Sequence, residues 1–146
     1  MPDRTFDPRL TEVRALLAQN RLSEAREICL QIRSPDTLEA EALDLLGAIE
    51  GRQGNLAAAE GCFRRGLTLA PEHADLHFGL GKALQEQGRF TEAAASYEAA
   101  IRLRPDDALL YQGLGNALLA QGHVDDAVSA YRRSITLDPH LASAHA

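Results

Sequence analysis

The sequence predicts an all-α fold, a right-handed α-solenoid of tandem helix-turn-helix units. Three observations predict it. Of 146 residues, 25 are Ala and 23 are Leu, both strong helix formers, while aromatics make up 5% and Trp is absent. Apolar residues recur at three- and four-residue spacing on both sides of isolated glycines, as amphipathic helices require. Sliding the sequence by 34 residues superposes it on itself, and a fixed period of that length marks a stacked repeat.

The three gapless units are 40–73, 74–107 and 108–141. Their aligned columns begin with Leu46, Leu80 and Leu114, followed at once by Gly47, Gly81 and Gly115. Next come Gly54, Gly88 and Gly122, suited to the left-handed conformation that ends a helix. After them Asn55, Thr91 and Asp125 are expected to cap the second helix of each unit. Ala59, Ala93 and Ala127 provide close approach beside the bulkier Phe63, Tyr97 and Tyr131. Pro71, Pro105 and Pro139 close each unit, because proline drives the preceding residue out of the α region.

Extending the frame backwards gives 6–39 as a fourth, degenerate unit, with Leu22, Ala25 and Cys29 in core columns. Glu12-Val13 replaces its Leu-Gly pair and Pro35 comes two positions early, as suits an end repeat with a more polar outer face. One domain over 6–141 is therefore expected, with 142–146 starting a truncated further repeat or forming a capping tail. The apolar residues Val128, Ile135 and Leu137 are then expected to form an open strip, available for self-association or for further repeats.

The units resemble tetratricopeptide repeats. In 108–141 the family pattern falls on Tyr111, Leu114, Gly115, Ala127, Tyr131 and Pro139, with Leu118 in place of the second aromatic. The unit 74–107 matches at Leu80, Gly81, Ala93, Tyr97 and Pro105 and has His77 where Trp or Tyr is usual. The unit 40–73 departs more, with Leu43 at the first position and Glu50 where an aromatic or Leu is expected.

Composition and motifs argue against chemistry on this chain. The formal charge of −6 is spread evenly, and without a basic stripe neither nucleic acid nor an anionic membrane is an expected partner. No apolar run reaches the roughly 18 residues of a membrane span, and the N-terminal segment lacks a secretory pattern, so a cytoplasmic location is expected. Fourteen arginines against one lysine, with so much alanine, suggest a GC-rich bacterial gene. Cys29 and Cys62 lack metal or redox spacing and read as buried free thiols. His73 and His77, four apart, could share a helix face as metal ligands with Glu72 or Asp75 but have no fourth donor and no H-E-x-x-H motif. The pairs Asp106-Asp107 and Asp125-Asp126 lie just before or at helix starts, where carboxylates complement the helix dipole. No catalytic residue, metal or cofactor is expected.

What remains is a binding face. At about 100° per residue, offsets 2, 5, 9 and 12 of each first helix point away from the core columns. They hold Asp7, Leu10, Arg14 and Leu17 in the first unit and Glu41, Asp44, Ala48 and Gly51 in the second. In the third and fourth they hold Asp75, Phe78, Lys82 and Gln85, then Leu109, Gln112, Asn116 and Leu119. The resemblance implies that this face lines a concave groove for a peptide or helix. The expected partner-binding residues are Glu41, Asp44, Asp75, Phe78, Lys82, Gln85, Leu109, Gln112 and Asn116, with Phe78 as apolar anchor. The acidic members suggest a ligand with basic and apolar side chains.

The Lys, Asn and Arg that grip chaperone carboxylate ends in one subfamily are missing, because Asp44, Ala48, Gly79, Leu109 and Gly113 stand there. The expected function is a non-catalytic protein-interaction scaffold. The alternatives are the N-terminal recruiting repeats of a larger enzyme resembling glycosyltransferases or sulfotransferases, and a self-assembly module. Against the sugar-transferring type, Leu45, Gly79 and Gly113 occupy the offset where those repeats usually carry Asn.

Overall fold

The computed structural model describes residues 7–32 and 36–143, and every regular element among them is an α-helix. Pro35 lies outside the described residues. The chain divides into two compact units, Met1–Glu72 and His73–Ala146. The first holds α1 (Pro8–Ala18), α2 (Leu22–Gln31), α3 (Asp36–Arg52) and α4 (Leu56–Leu69). The second holds α5 (Ala74–Glu86), α6 (Phe90–Leu103), α7 (Ala108–Ala120), α8 (Val124–Leu137) and the short α9 (Pro139–Ser143).

Each helix pair is joined by the same turn. Gly54, Gly88 and Gly122 have φ of 82°, 78° and 83°, and Asn20 fills the matching place in the degenerate repeat at φ 57°. The next residue in each case donates its amide to a carbonyl five residues back: Arg21 to Leu16, Asn55 to Glu50, Arg89 to Leu84 and His123 to Leu118, at 2.8–2.9 Å. This closure satisfies carbonyls that the helix end leaves without partners. In α6 and α8 the helix also starts two residues earlier than it would with Thr91 or Asp125 as its cap. Thr91 and Asp125 consequently fall inside α6 and α8, and the Asn55 amide donates to Glu50 at 2.8 Å instead of capping α4. Asp125 and Asp126 still lie in the first turn of α8, where the dipole favours them. The connection before α7 does use a side-chain cap, since Asp107 accepts from the Leu109 amide at 3.1 Å.

Packing follows the small and large columns. Ala59, Ala93 and Ala127 are fully buried, and rings fill the space over the glycines. A Cβ on Gly47 would come within 2.6 Å of Phe63, on Gly81 within 2.9 Å of Tyr97, and on Gly115 within 2.7 Å of Tyr131. Only glycine leaves room for those rings. Ser134 adds a buried bond from its hydroxyl to the Ala108 carbonyl, tying α8 to α7 at 2.9 Å.

In the first unit Val13, Leu16, Leu17, Ala25, Leu43, Leu46 and Ile49 form one core with Cys29 and Cys62, both of them free thiols. Burial pushes the Cys29 thiol up to about 11 and raises Cys62 as well. The wheel expectation for α1 is corrected here: Leu10 and Leu17 are buried, and Asp7 caps the helix by accepting from the Arg9 amide. The reason is that α1 packs against both α2 and α3, so two of its faces are covered. Glu50, out of pattern in the sequence, is buried with its carboxylate accepting from Arg26 Nε and Asn55 Nδ2, each at 2.8 Å. It joins α2 to the turn after α3. No described helix is long and apolar enough to cross a membrane.

Candidate functional site

Six of the residues expected to bind a partner line one groove of about 280 Å³ in the second unit. Phe78, Lys82 and Gln85 come from α5, and Leu109, Gln112 and Asn116 from α7. Four-residue and three-residue steps put each trio on one helix face. Tyr97 of α6 reaches the groove between them, together with Glu86 and Gly113.

The apolar part centres on two rings. Phe78 and Tyr97 lie 6.0 Å apart between centroids, tilted by 53°. Lys82 Nζ sits 5.6 Å from the centre of the Phe78 ring, within range of a cation–π attraction. Leu109 is 46% exposed, so an apolar branch faces open space beside the rings. Phe78 is half-buried on the groove wall. The Tyr97 ring supports it from beneath.

The polar part is built from amides. Tyr97 donates its hydroxyl to Gln85 Oε1 at 2.8 Å, and Tyr131 donates to Asn116 Oδ1. Burial raises the Tyr97 phenol well above its usual range, so it stays protonated and keeps donating. The Gln85 and Asn116 amide NH₂ groups are the ends left to offer a ligand donors, and Gln112 carries both a donor and an acceptor.

Three expected residues stand elsewhere. Asp75 forms an ion pair with Arg104, with oxygen to nitrogen distances of 2.7 and 3.3 Å, and does not line the groove. Glu41 of α3 faces Arg14 of α1 at 3.6 Å in the first unit. Asp44, also on α3, is half-buried and engaged within the chain. Sequence reasoning missed Tyr97, Glu86 and Gly113 as groove residues. The available signal was Gly113, because a Cβ there would come within 2.6 Å of the Tyr97 ring, and the missing side chain opens the path for that ring to the groove.

Among the described residues no group of three or more His, Cys, Asp or Glu could hold a metal ion. The His73 and His77 pair gains no further ligand. The arrangement offers surface complementarity: an aromatic and aliphatic patch, amides, one cation and one carboxylate.

Helical pairs repeated along the chain with a groove on their first helices define a helical-repeat protein. A family model described as tetratricopeptide repeat matches residues 45–108 and 81–142. The chain belongs to the tetratricopeptide repeat family. No curated protein matches it.

Solved structures share the fold. A crystal structure of MamA superposes with a TM-score of 0.77 at 23% identity, over 92% of this chain and 79% of that one. The first tetratricopeptide domain of Spaghetti (RPAP3), bound to the HSP90 peptide SRMEEVD, gives 0.67 at 24% identity, over 68% of this chain and 79% of that one. An O-GlcNAc transferase mutant from Thermobaculum terrenum gives 0.69 at 28% identity, over 74% of this chain and 21% of that one.

Proposed function

We propose that the chain is a non-catalytic interaction scaffold that holds a peptide or helix of a protein partner in the groove of its second unit. One observation carries the reading: Phe78 and Leu109 form an accessible apolar patch over the buried Tyr97, bordered by Gln85, Gln112 and Asn116. An apolar side chain of the ligand would bury against the rings while side-chain amides bond its main chain. Tetratricopeptide domains typically serve protein interaction, and the Spaghetti domain is an example with a peptide in place. Its ligand does not transfer to this chain, where Asp44, Ala48, Gly79, Leu109 and Gly113 replace the residues of a carboxylate clamp.

The chemistry proposed for the ligand is apolar first. The basic character expected from Glu41, Asp44 and Asp75 loses weight, because Glu41 and Asp75 already face Arg14 and Arg104. Within the groove, Lys82 and Glu86 balance one another in charge. Exposed pairs contribute about 0 to 1 kcal/mol each, whereas truncating an aromatic hot spot costs about 2 kcal/mol or more.

Panning the chain against displayed random peptides should select ligands with a shared aromatic or branched aliphatic anchor. Phe78→Ala should weaken a selected peptide roughly thirtyfold, and Asp75→Asn should leave its affinity within about threefold. Losing a half-buried ring and its pairing with Tyr97 should lower stability by about 1–3 kcal/mol, so circular dichroism accompanies the binding measurement to show that the variant is folded. An unchanged dissociation constant for Phe78→Ala would sink the proposal.

The likeness to the O-GlcNAc transferase favours a second reading, in which these repeats recruit substrates for a larger enzyme. The absence of Asn at Leu45, Gly79 and Gly113 weighs against that subtype. A natural reading frame that continues past Ala146 into an alternating strand and helix pattern would decide for it.

A further inference from the structure

Helix α8, on whose end α9 packs, carries an apolar stripe that stays exposed among the described residues. Val124, Val128 and Ile135 are 54, 40 and 47% exposed, and at about 100° per residue they fall within about 40° of each other around the helix. Their counterparts one repeat earlier, Phe90, Ala94 and Ile101 of α6, are buried or half-buried, and α6 packs on α7. The same face is thus closed in one repeat and open in the next. Contiguous apolar surface of this kind marks an interaction site.

Charge around the stripe identifies what fits it. Asp125 and Arg132 are both exposed and lie on the same flank, at about 80–100° from Val124, seven positions apart. The other acid and base of the helix, Asp126 and Arg133, point to the far side, where Arg133 stacks 5.9 Å from the Tyr111 ring. When two copies of α8 face each other antiparallel, a two-fold axis between Val128 and Ser129 brings Asp125 beside Arg132 of the partner subunit. Symmetry makes the contact twice, because a two-fold keeps residues of one flank together. In the same register Val128 meets the partner's Val128 near the axis, and Val124 lies next to the partner's Ile135. A head-to-tail stack fits less well, since the exposed residues of α1 are Pro8, Thr11, Glu12, Arg14, Ala15 and Ala18, with no bulky aliphatic or aromatic side chain among them.

We propose that the exposed face of α8 pairs with the same face of a second copy of this chain, antiparallel about a two-fold axis, with Val128 at its centre and two Asp125–Arg132 contacts at its edges. The surface is distinct from the peptide groove, which α5, α6 and α7 line.

Sedimentation velocity over a concentration series of the whole chain tests it, with circular dichroism confirming that each variant is folded. The wild type should show a concentration-dependent dimer. Asp125→Arg and Arg132→Asp should each weaken dimerisation about tenfold or more, since two attractions become two repulsions. The double variant Asp125→Arg/Arg132→Asp should recover wild-type association to within about threefold. Asp126→Arg makes the same charge change on the far side and should leave the dimer intact. A monomer at every concentration, a single reversal without effect, or failure of the double variant to recover would overturn the proposal. Assemblies that grow beyond a dimer with concentration would overturn it in favour of head-to-tail stacking.

Discussion

Replacing Gly113 with Ala and replacing Gly61 with Ala should shift stability in opposite directions, although both glycines lie inside helices. Intrinsic propensity favours Ala over Gly by about 1 kcal/mol at either site. At Gly61 a new Cβ meets nothing within 4 Å, so the gain should appear nearly whole. At Gly113 the Cβ would stand 2.6 Å from Tyr97 Cε1, and the ring would have to retreat by about 0.8 Å to regain ordinary contact at 3.4 Å. It cannot retreat towards α5, where Gly81 already lies tight against it. The ring must swing outwards, which strains or breaks the 2.8 Å bond to Gln85. Overpacking costs about 1–3 kcal/mol and the lost hydrogen bond about 1 kcal/mol, against the propensity gain. Gly113→Ala should therefore destabilise by about 1–3 kcal/mol and lower the melting temperature by roughly 4–10 °C. Thermal and urea unfolding followed by circular dichroism read both variants on the same scale. If Gly113→Ala matches or exceeds the wild type, the contact between ring and glycine does not govern this helix pair.

Three further outcomes follow from the first unit. The thiols should titrate slowly in native protein and fully after unfolding, because a protonated, buried sulfur is a poor nucleophile. Since the folded state raises the Cys29 thiol from 9.0 to about 11, its contribution to stability is complete below about pH 9 and is lost as pH rises towards 11. Urea midpoints of the wild type should fall across that window more than those of Cys29→Ala, and parallel curves would contradict the assignment. Glu50→Leu restores the usual residue type of the repeat but strips Arg26 and Asn55 of their acceptor. It should destabilise by about 1–3 kcal/mol in chemical unfolding, and a stability gain would show that the pattern outweighs the local bonds.

The turns and the interlocking columns were legible in the sequence because each depends on a local property. Gly54, Gly88 and Gly122 announce positive φ, and Gly81 opposite Tyr97 announces a close approach. The misread caps show where local reasoning stops: the amide of the residue after each turn closes the preceding helix, so backbone geometry fixes the start of α6 and α8 before Thr91 or Asp125 can. The helical wheel assumes one covered side, which fails for Leu10 and Leu17 on a helix packed by two neighbours. It also has no means of seeing that Arg104, 29 residues along, reaches back to Asp75. The groove trios on α5 and α7 were readable as faces. The floor was not, because Tyr97 belongs to a second helix and enters only where Gly113 leaves a gap.

Tyr97 consequently limits how the groove can diverge among descendants of this sequence. Its ring sits against Gly81 and Gly113, and its hydroxyl fixes Gln85, so three helices depend on one side chain that also touches the ligand space. A substitution at the floor changes recognition and folding together, and selection would have to tolerate both at once. Two rim positions are freer: Lys82 is exposed and Gln112 half-buried, whereas Asn116 also accepts from the Tyr131 hydroxyl. New partner preferences should therefore arise by exchange at those rim positions, with the tyrosine and its two glycines inherited as a block.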